Sequence, residues 1–265
     1  MRAGRPRSRK THLTVADDQR PTKKHHRVST MPNEQSAIGA EFAKPLIPGH
    51  IPASFPIKAA LAGIAAVLAG VFYFVGRQPD LKSHVPEFIA LSLAAGILYL
   101  GGVYLVQTFE LGRAALVTIL ASALLFRLCL LPAQPQLSDD VYRYQWEGRV
   151  QRAHINPYHV FPALPSLRPL GDARHPLETG RTTPTVYPPL SEAAFSWVRT
   201  VAGYKQLFTA LDLASIGLLL ALLALERQPL QRILVYAWNP TVLTSFALCG
   251  HHDSLAILTL LAANV

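Results

Sequence analysis

Residues 55–75 read FPIKAALAGIAAVLAGVFYFV, an apolar run with one charged side chain, Lys58. An α-helix needs about 20 apolar residues to cross the hydrocarbon core of a bilayer, and this stretch has that length. Working outward, comparable runs follow at Phe88 to Val106, Ala114 to Leu131, Leu207 to Leu225 and Ile233 to Leu248. A sixth begins at Ser254 and is still apolar at Val265, so the chain reads as an N-terminal piece of a longer protein. The pattern predicts an all-α, multi-pass transmembrane helical bundle. Composition agrees: half of the 265 residues are hydrophobic and only 15% are charged, against about 25% in soluble domains.

Four regions follow. Residues 1–54 are basic and polar, with Arg2, Arg5, Arg7, Arg9, Lys10, Lys23, Lys24 and Arg27 supplying much of the +9 net charge. Such a tail can meet nucleic acid or anionic lipid. It is read here as a disordered cytoplasmic extension without a nucleic-acid partner, and Met31 offers a second start. The tail does not read as a secretory signal, because the first apolar run comes too late. Residues 55–132 hold three spans. Residues 133–190 form a polar, proline-rich segment, and 191–265 hold an interfacial helix (about Leu190 to Val201) and further spans. Cys129 and Cys249 lie in or beside apolar runs without a spaced framework, so neither a disulfide scaffold nor a zinc site is indicated.

The positive-inside rule puts the basic tail, Arg113, Arg227 and Arg232 in the cytoplasm. Counting spans then places 133–190 and Gly250-His251-His252-Asp253 together on the outer face.

The polar motifs carry the chemistry. In Leu137-Ser138-Asp139-Asp140-Val141-Tyr142-Arg143-Tyr144-Gln145-Trp146-Glu147-Gly148-Arg149, Ser138 suits a helix N-cap and the aspartates suit the first turn. Tyr142, Trp146 and Val150 share one side, as in an amphipathic helix lying in the membrane interface. An acid at the mouth of a membrane cavity can serve as general base; capping with an Asp139–Arg143 pair would use the same residues. Asn156-Pro157-Tyr158 and Tyr187-Pro188-Pro189 read as turns whose tyrosines can also line a sugar site. The Gly250–Asp253 stretch can bind a phosphate or hydroxyl at a helix start, or Asp253 can simply cap the sixth span. Adjacent histidines point apart, which argues against a metal. Within the spans, Arg127 either faces a lipid phosphate or snorkels to the headgroups, Asp212 pairs inside the bundle, and Trp238-Asn239-Pro240 breaks span five and frees carbonyls.

Taken together, Ser138-Asp139-Asp140-Val141-Tyr142-Arg143-Tyr144, Trp146-Glu147-Gly148-Arg149, Asn156-Pro157-Tyr158, Tyr187-Pro188-Pro189-Leu190 and Trp238-Asn239-Pro240 with Gly250-His251-His252-Asp253 resemble GT-C class glycosyltransferases. The likeness is to bacterial polyprenyl-phosphate-mannose-dependent mannosyltransferases and glycosyltransferase family 87, and it covers about Phe55 to the end. The resemblance implies transfer of a sugar, mannose in these relatives, from a polyprenyl-phosphate donor to a glycan or glycolipid acceptor outside the cytoplasmic membrane. It implies Asp140 as base, with Asp139 the second choice. Arg143, Tyr144, Arg149, Tyr187, His251, His252, Asp253 and Arg127 become the substrate-binding set. No cofactor is implied, and a divalent metal stays open. Two features depart from the family: two spans precede the one leading into the motif, where many relatives have one, and the chain is shorter than its relatives. A transporter or lipid flippase, or an inactive truncated membrane subunit, are the rival readings. No internal repeat of the kind transporters show is found.

Overall fold

The computed structural model describes residues 51–173, 177 and 180–265. The basic tail expected over 1–54 lies outside them as far as residue 50. Among the described residues, four helices are long and apolar enough to cross a membrane: α1 (Phe55–Arg77), α2 (Val85–Thr108), α3 (Gly112–Leu130) and α6 (Val201–Leu225). Between α3 and α6 lie α4 (Asp140–Arg152) and α5 (Pro189–Trp197). Extended structure is confined, among the described residues, to β1 (Ile51–Pro52) paired parallel with β2 (Phe109–Glu110). The chain is an all-α, multi-pass membrane protein.

The helix starts follow local chemistry. Pro56 and Pro86 sit in the first turns of α1 and α2, where a missing N–H costs nothing. The Thr200 hydroxyl accepts from the Gly203 N–H at 3.0 Å and starts α6 several residues before the apolar run at Leu207. On α2, Ile89, Leu93, Ile97, Leu100 and Tyr104 are exposed, a surface suited to lipid rather than water. The core lies inward: Leu61, Leu68 and Phe72 of α1 meet Ile119 and Phe126 of α3 around Trp238.

The fifth run, expected to be one span, is instead divided. A 3-10 turn (Leu230–Ile233) leads into α7 (Leu234–Ala237), then α8 (Pro240–Leu243) and a π-helical turn (Thr244–Cys249). The break at Trp238-Asn239-Pro240 has a definite cause. Pro240 has no N–H to give, and the Asn239 side chain accepts from the Thr241 N–H at 2.9 Å. That N–H would otherwise close on the Ala237 carbonyl, so the carbonyl is freed, as the sequence predicts. Arg127 of α3 takes it at 3.0 Å, donates to the Ala123 carbonyl at 2.9 Å, and pairs with Asp212 of α6 at 2.6 Å. Asp212 thus pairs within the bundle as expected. Arg127 departs from expectation: it is about 1% exposed and neither snorkels nor meets a headgroup. The sixth run gives α9 (Asp253–Ala262), which packs on α6.

One end of the bundle gathers the polar segments. At Gly76 a Cβ would overlap the Cys129 carbonyl, so the C-terminal ends of α1 and α3 touch there. Lys205, near the start of α6, donates to the Leu130 and Ala133 carbonyls, and Gly250 lies against its side chain. At the opposite end Gln231 donates to the Gly112 carbonyl at 2.8 Å, joining the two segments that carry Arg113 and Arg232.

Candidate active site

α4 is the element on which the site is built. Its helix starts one residue later than expected: Asp139 occupies the N-cap position, and Ser138 Oγ accepts from the Asp140 N–H at 3.2 Å. The short turn made by Ser138 displaces the start and leaves Asp140 in the first turn, where the helix dipole favours its charge.

Nor does α4 present a single stripe to the membrane interface. Trp146 and Val150 are buried with Leu167 under the 3-10 segment Pro165–Leu170, while Val141 and Tyr144 pack on Phe195, Tyr204 and Phe208. The proline-rich segment covers the side that a one-dimensional pattern leaves to lipid or water. Gly148 allows the close crossing, because a Cβ there would overlap the Phe195 carbonyl of α5.

Asp140 Oδ2 lies 3.7 Å from His251 Nε2. This is within ion-pair range of a protonated imidazole and beyond a hydrogen bond. One helical turn on, the Tyr144 hydroxyl meets His252 Nδ1 at 3.2 Å. Tyr187 closes the group edge-on, with ring centroids 5.2 Å from Tyr144 and 4.9 Å from His252. Phe195 stacks behind Tyr144 at 4.4 Å. Gly250 makes this possible: its φ of +74° is a left-handed conformation that suits glycine. The turn ends the π-helix, with the His251 N–H donating to the Ser245 carbonyl at 2.9 Å, and delivers both histidines to α4.

Burial pushes the Tyr144 and Tyr187 hydroxyls well above the usual phenol range and lowers His252. The aromatic wall is therefore uncharged at neutral pH, and Asp140 stands at its edge with a side chain 41% exposed. Such a site has an acid able to take a proton, a partner imidazole, and aromatic faces fit for a sugar ring.

Asp140, Tyr144, Tyr187, His251 and His252 are thus brought together. Asp253 is exposed and lies at the rim, 4.0 Å from His252 Nδ1. It begins α9 rather than capping it, the N-cap position being His252. Arg143 turns away: Nε donates to Glu147 at 2.7 Å, and the two Nη atoms donate to the Gly180 and Thr183 carbonyls. It ties down the segment around Gly180 and Thr183, and its carboxylate partner is Glu147, one turn along α4. Arg149 faces the far side of α4, where a cleft of about 290 Å³ is lined also by Gln145, Arg168 and Arg181. Among the described residues, no group of three or more His, Cys, Asp or Glu stands ready to hold a metal.

Three buried ionisable residues escape sequence reading. Glu147 and Glu192 are fully or almost fully buried against each other's helices. Lys205 is buried at the end of α3, where its charge complements the last carbonyls. Lys205 had a signal, a lone cation beside an apolar run. Glu192 had a weaker one, a lone acid in the semi-polar stretch after Pro189.

With this geometry in place, comparison with known families settles the class: a membrane-bound glycosyltransferase. The chain belongs to the family described as alpha-(1->6)-mannopyranosyltransferase, N-terminal domain, which matches residues 57–265. No curated protein and no solved structure matches it. Transfer of mannose takes the place of the transport reading, and a sugar donor and a glycan acceptor follow from it in general terms.

Proposed function

We propose that the chain carries the base side of a mannosyl transfer from a polyprenyl-phosphate donor, with Asp140 as general base on the extracytoplasmic face. The observation that carries this reading is the approach of Asp140 to His251, two motifs distant in sequence that meet at one end of the bundle. In the reaction, Asp140 accepts the proton of an acceptor hydroxyl as its oxygen bonds to the anomeric carbon. The bond from that carbon to the phosphate oxygen breaks, and the phosphate departs with the electron pair. The transition state has oxocarbenium character. Tyr144, Tyr187 and His252 form the wall against the sugar. His251 Nε2 is buried beside Asp140 with no hydrogen-bond partner among the described residues, so it can donate to a substrate oxygen that reaches the pair. A donor whose carrier never leaves the bilayer suits a catalytic group at the lip of a membrane bundle. Arg149 and its cleft on the other side of α4 suit a longer acceptor.

Sidedness and donor class are tested together. In right-side-out vesicles, a cysteine at exposed Val186 is expected to react with a membrane-impermeant maleimide. The same vesicles are expected to incorporate label from polyprenyl-phosphate mannose added outside, and none from a nucleotide mannose. Labelling of Val186→Cys only after permeabilisation, or transfer from the nucleotide sugar alone, would overturn the reading.

A further inference from the structure

We propose that Glu147 and Glu192 hold one proton between them and thereby latch the segment 180–187 to α4, making them positioning residues for Tyr187. The latch serves catalysis only through the site proposed above, but its existence does not depend on that reading.

The geometry requires the proton. Both side chains are buried, at 0% and 3% exposure. Among the described residues, Arg143 is the one guanidinium bonded to the pair, and it has already committed Nε to Glu147 Oε1 and both Nη atoms to carbonyls. The oxygens of Glu192 accept from the Thr185 hydroxyl at 2.6 Å and the Gln151 amide at 2.6 Å. Glu147 Oε2 is buried and receives none of these donors. The neighbouring Glu192 carboxyl can supply a hydrogen bond only if it is protonated. Two carboxylates beside one guanidinium would otherwise leave a buried, uncompensated charge.

The other groups near the pair do not provide that charge. Tyr158 and Tyr187 have hydroxyl values raised first by burial, and His252 is lowered by it. The Tyr204 hydroxyl donates to the Phe195 carbonyl, and Arg152 donates to the Ser196 and Val198 carbonyls. Consistently, burial first, and then the hydrogen bond to Glu147, push Glu192 up from 4.5 to about 8.

The latch reaches the site through Thr185. Its hydroxyl donates to Glu192 and also accepts from the Tyr187 N–H at 3.2 Å, while the Tyr158 hydroxyl donates to the Tyr187 carbonyl at 2.8 Å. Tyr187 is fixed by its backbone, and its ring is thereby held edge-on to Tyr144 and His252.

The sign of the pH effect follows by linkage. The carboxyl binds its proton more tightly latched than released, so the latch is firmest below 4.5 and weakens as pH climbs toward about 8. Above that value it weakens no further.

Trypsin cleavage after exposed Arg181 reads the latch directly, because Arg143 holds the carbonyls on either side, Gly180 and Thr183. The purified full chain is digested between pH 6 and 9, and appearance of the fragment beginning at Thr182 is timed against a free peptide spanning the same bond. The normalised rate is expected to rise with pH, by up to about tenfold per unit, and to level above about pH 8. Glu192→Gln and Glu147→Gln are expected to flatten the rise, since each removes the need for the shared proton. Glu192→Ala is expected to be cleaved fast throughout. A flat profile in the native chain, a Glu192→Gln profile that rises like the native one, or Glu192→Ala protected at pH 6 would each overturn the latch. The readout is independent of sugar transfer, so its failure and failure of the Asp140 reading are distinguishable.

Discussion

Asp140→Asn is expected to slow mannosyl transfer by about 10²–10⁴-fold, the usual contribution of a positioned general base, while expression and thermal unfolding stay unchanged. The side chain is 41% exposed at the start of α4 and faces His251 across 3.7 Å, so the amide keeps the size and loses only the basicity. Helix capping does not explain such a loss, because Asn caps about as well as Asp. Asp139→Asn is the informative companion. Asp139 occupies the N-cap position, where its carbonyl accepts from the Tyr142 and Arg143 N–H groups, and its amide variant is expected to transfer at a rate within a few fold of the native chain. Initial rates of label transfer from polyprenyl-phosphate mannose in isolated membranes measure both. Equal and small losses would remove Asp140 from the mechanism.

Arg127→Leu is expected to destabilise the bundle by about 3–5 kcal/mol, the cost of removing one partner from a buried ion pair. Asp212 is then left at 0% exposure without its guanidinium, and the Ala237 carbonyl loses its donor at the Trp238-Asn239-Pro240 break. Because that break leads into the turn carrying His251 and His252, the variant is also expected to lose transfer. Arg127→Leu with Asp212→Leu removes both charges and is expected to regain most of the stability but not the carbonyl bond. Thermal unfolding in detergent distinguishes these outcomes, and a midpoint unchanged in Arg127→Leu would show that the pair does not hold the bundle.

The membrane architecture was legible because hydrocarbon imposes one strict rule, and the runs at Phe55, Phe88 and Ala114 satisfy it within a few residues of the observed helices. The fourth was legible in its apolar part, while its true start needed the Thr200 cap. The division of the fifth run was half visible. Pro240 announced a break, but only the fold reveals that Arg127 receives the freed carbonyl, 110 positions away in sequence. Pairings of that range leave no local signature. The same limit governs the site. Asp140, Tyr144 and His252 stood out by residue type, yet the Tyr144–His252 contact spans 108 positions, and span counting alone brought the motifs to one end. The surroundings of Arg143 and Arg149 were not legible, since a sequence shows a cation without showing whether carbonyls and a carboxylate, as at Arg143, or a cleft, as at Arg149, will receive it. Glu147 was missed because only the helix that covers it reveals its burial, and Glu192 offered no more than its place as a lone acid in a semi-polar stretch.

The central claim is that Asp140 and His251 act on one substrate as a unit, and a double-mutant cycle on transfer rate tests it most directly. Asp140→Asn, His251→Asn and the double variant are compared with the native chain. The account predicts that the double variant is slowed about as much as Asp140→Asn alone, as members of one catalytic group behave. Losses that multiply independently would contradict it.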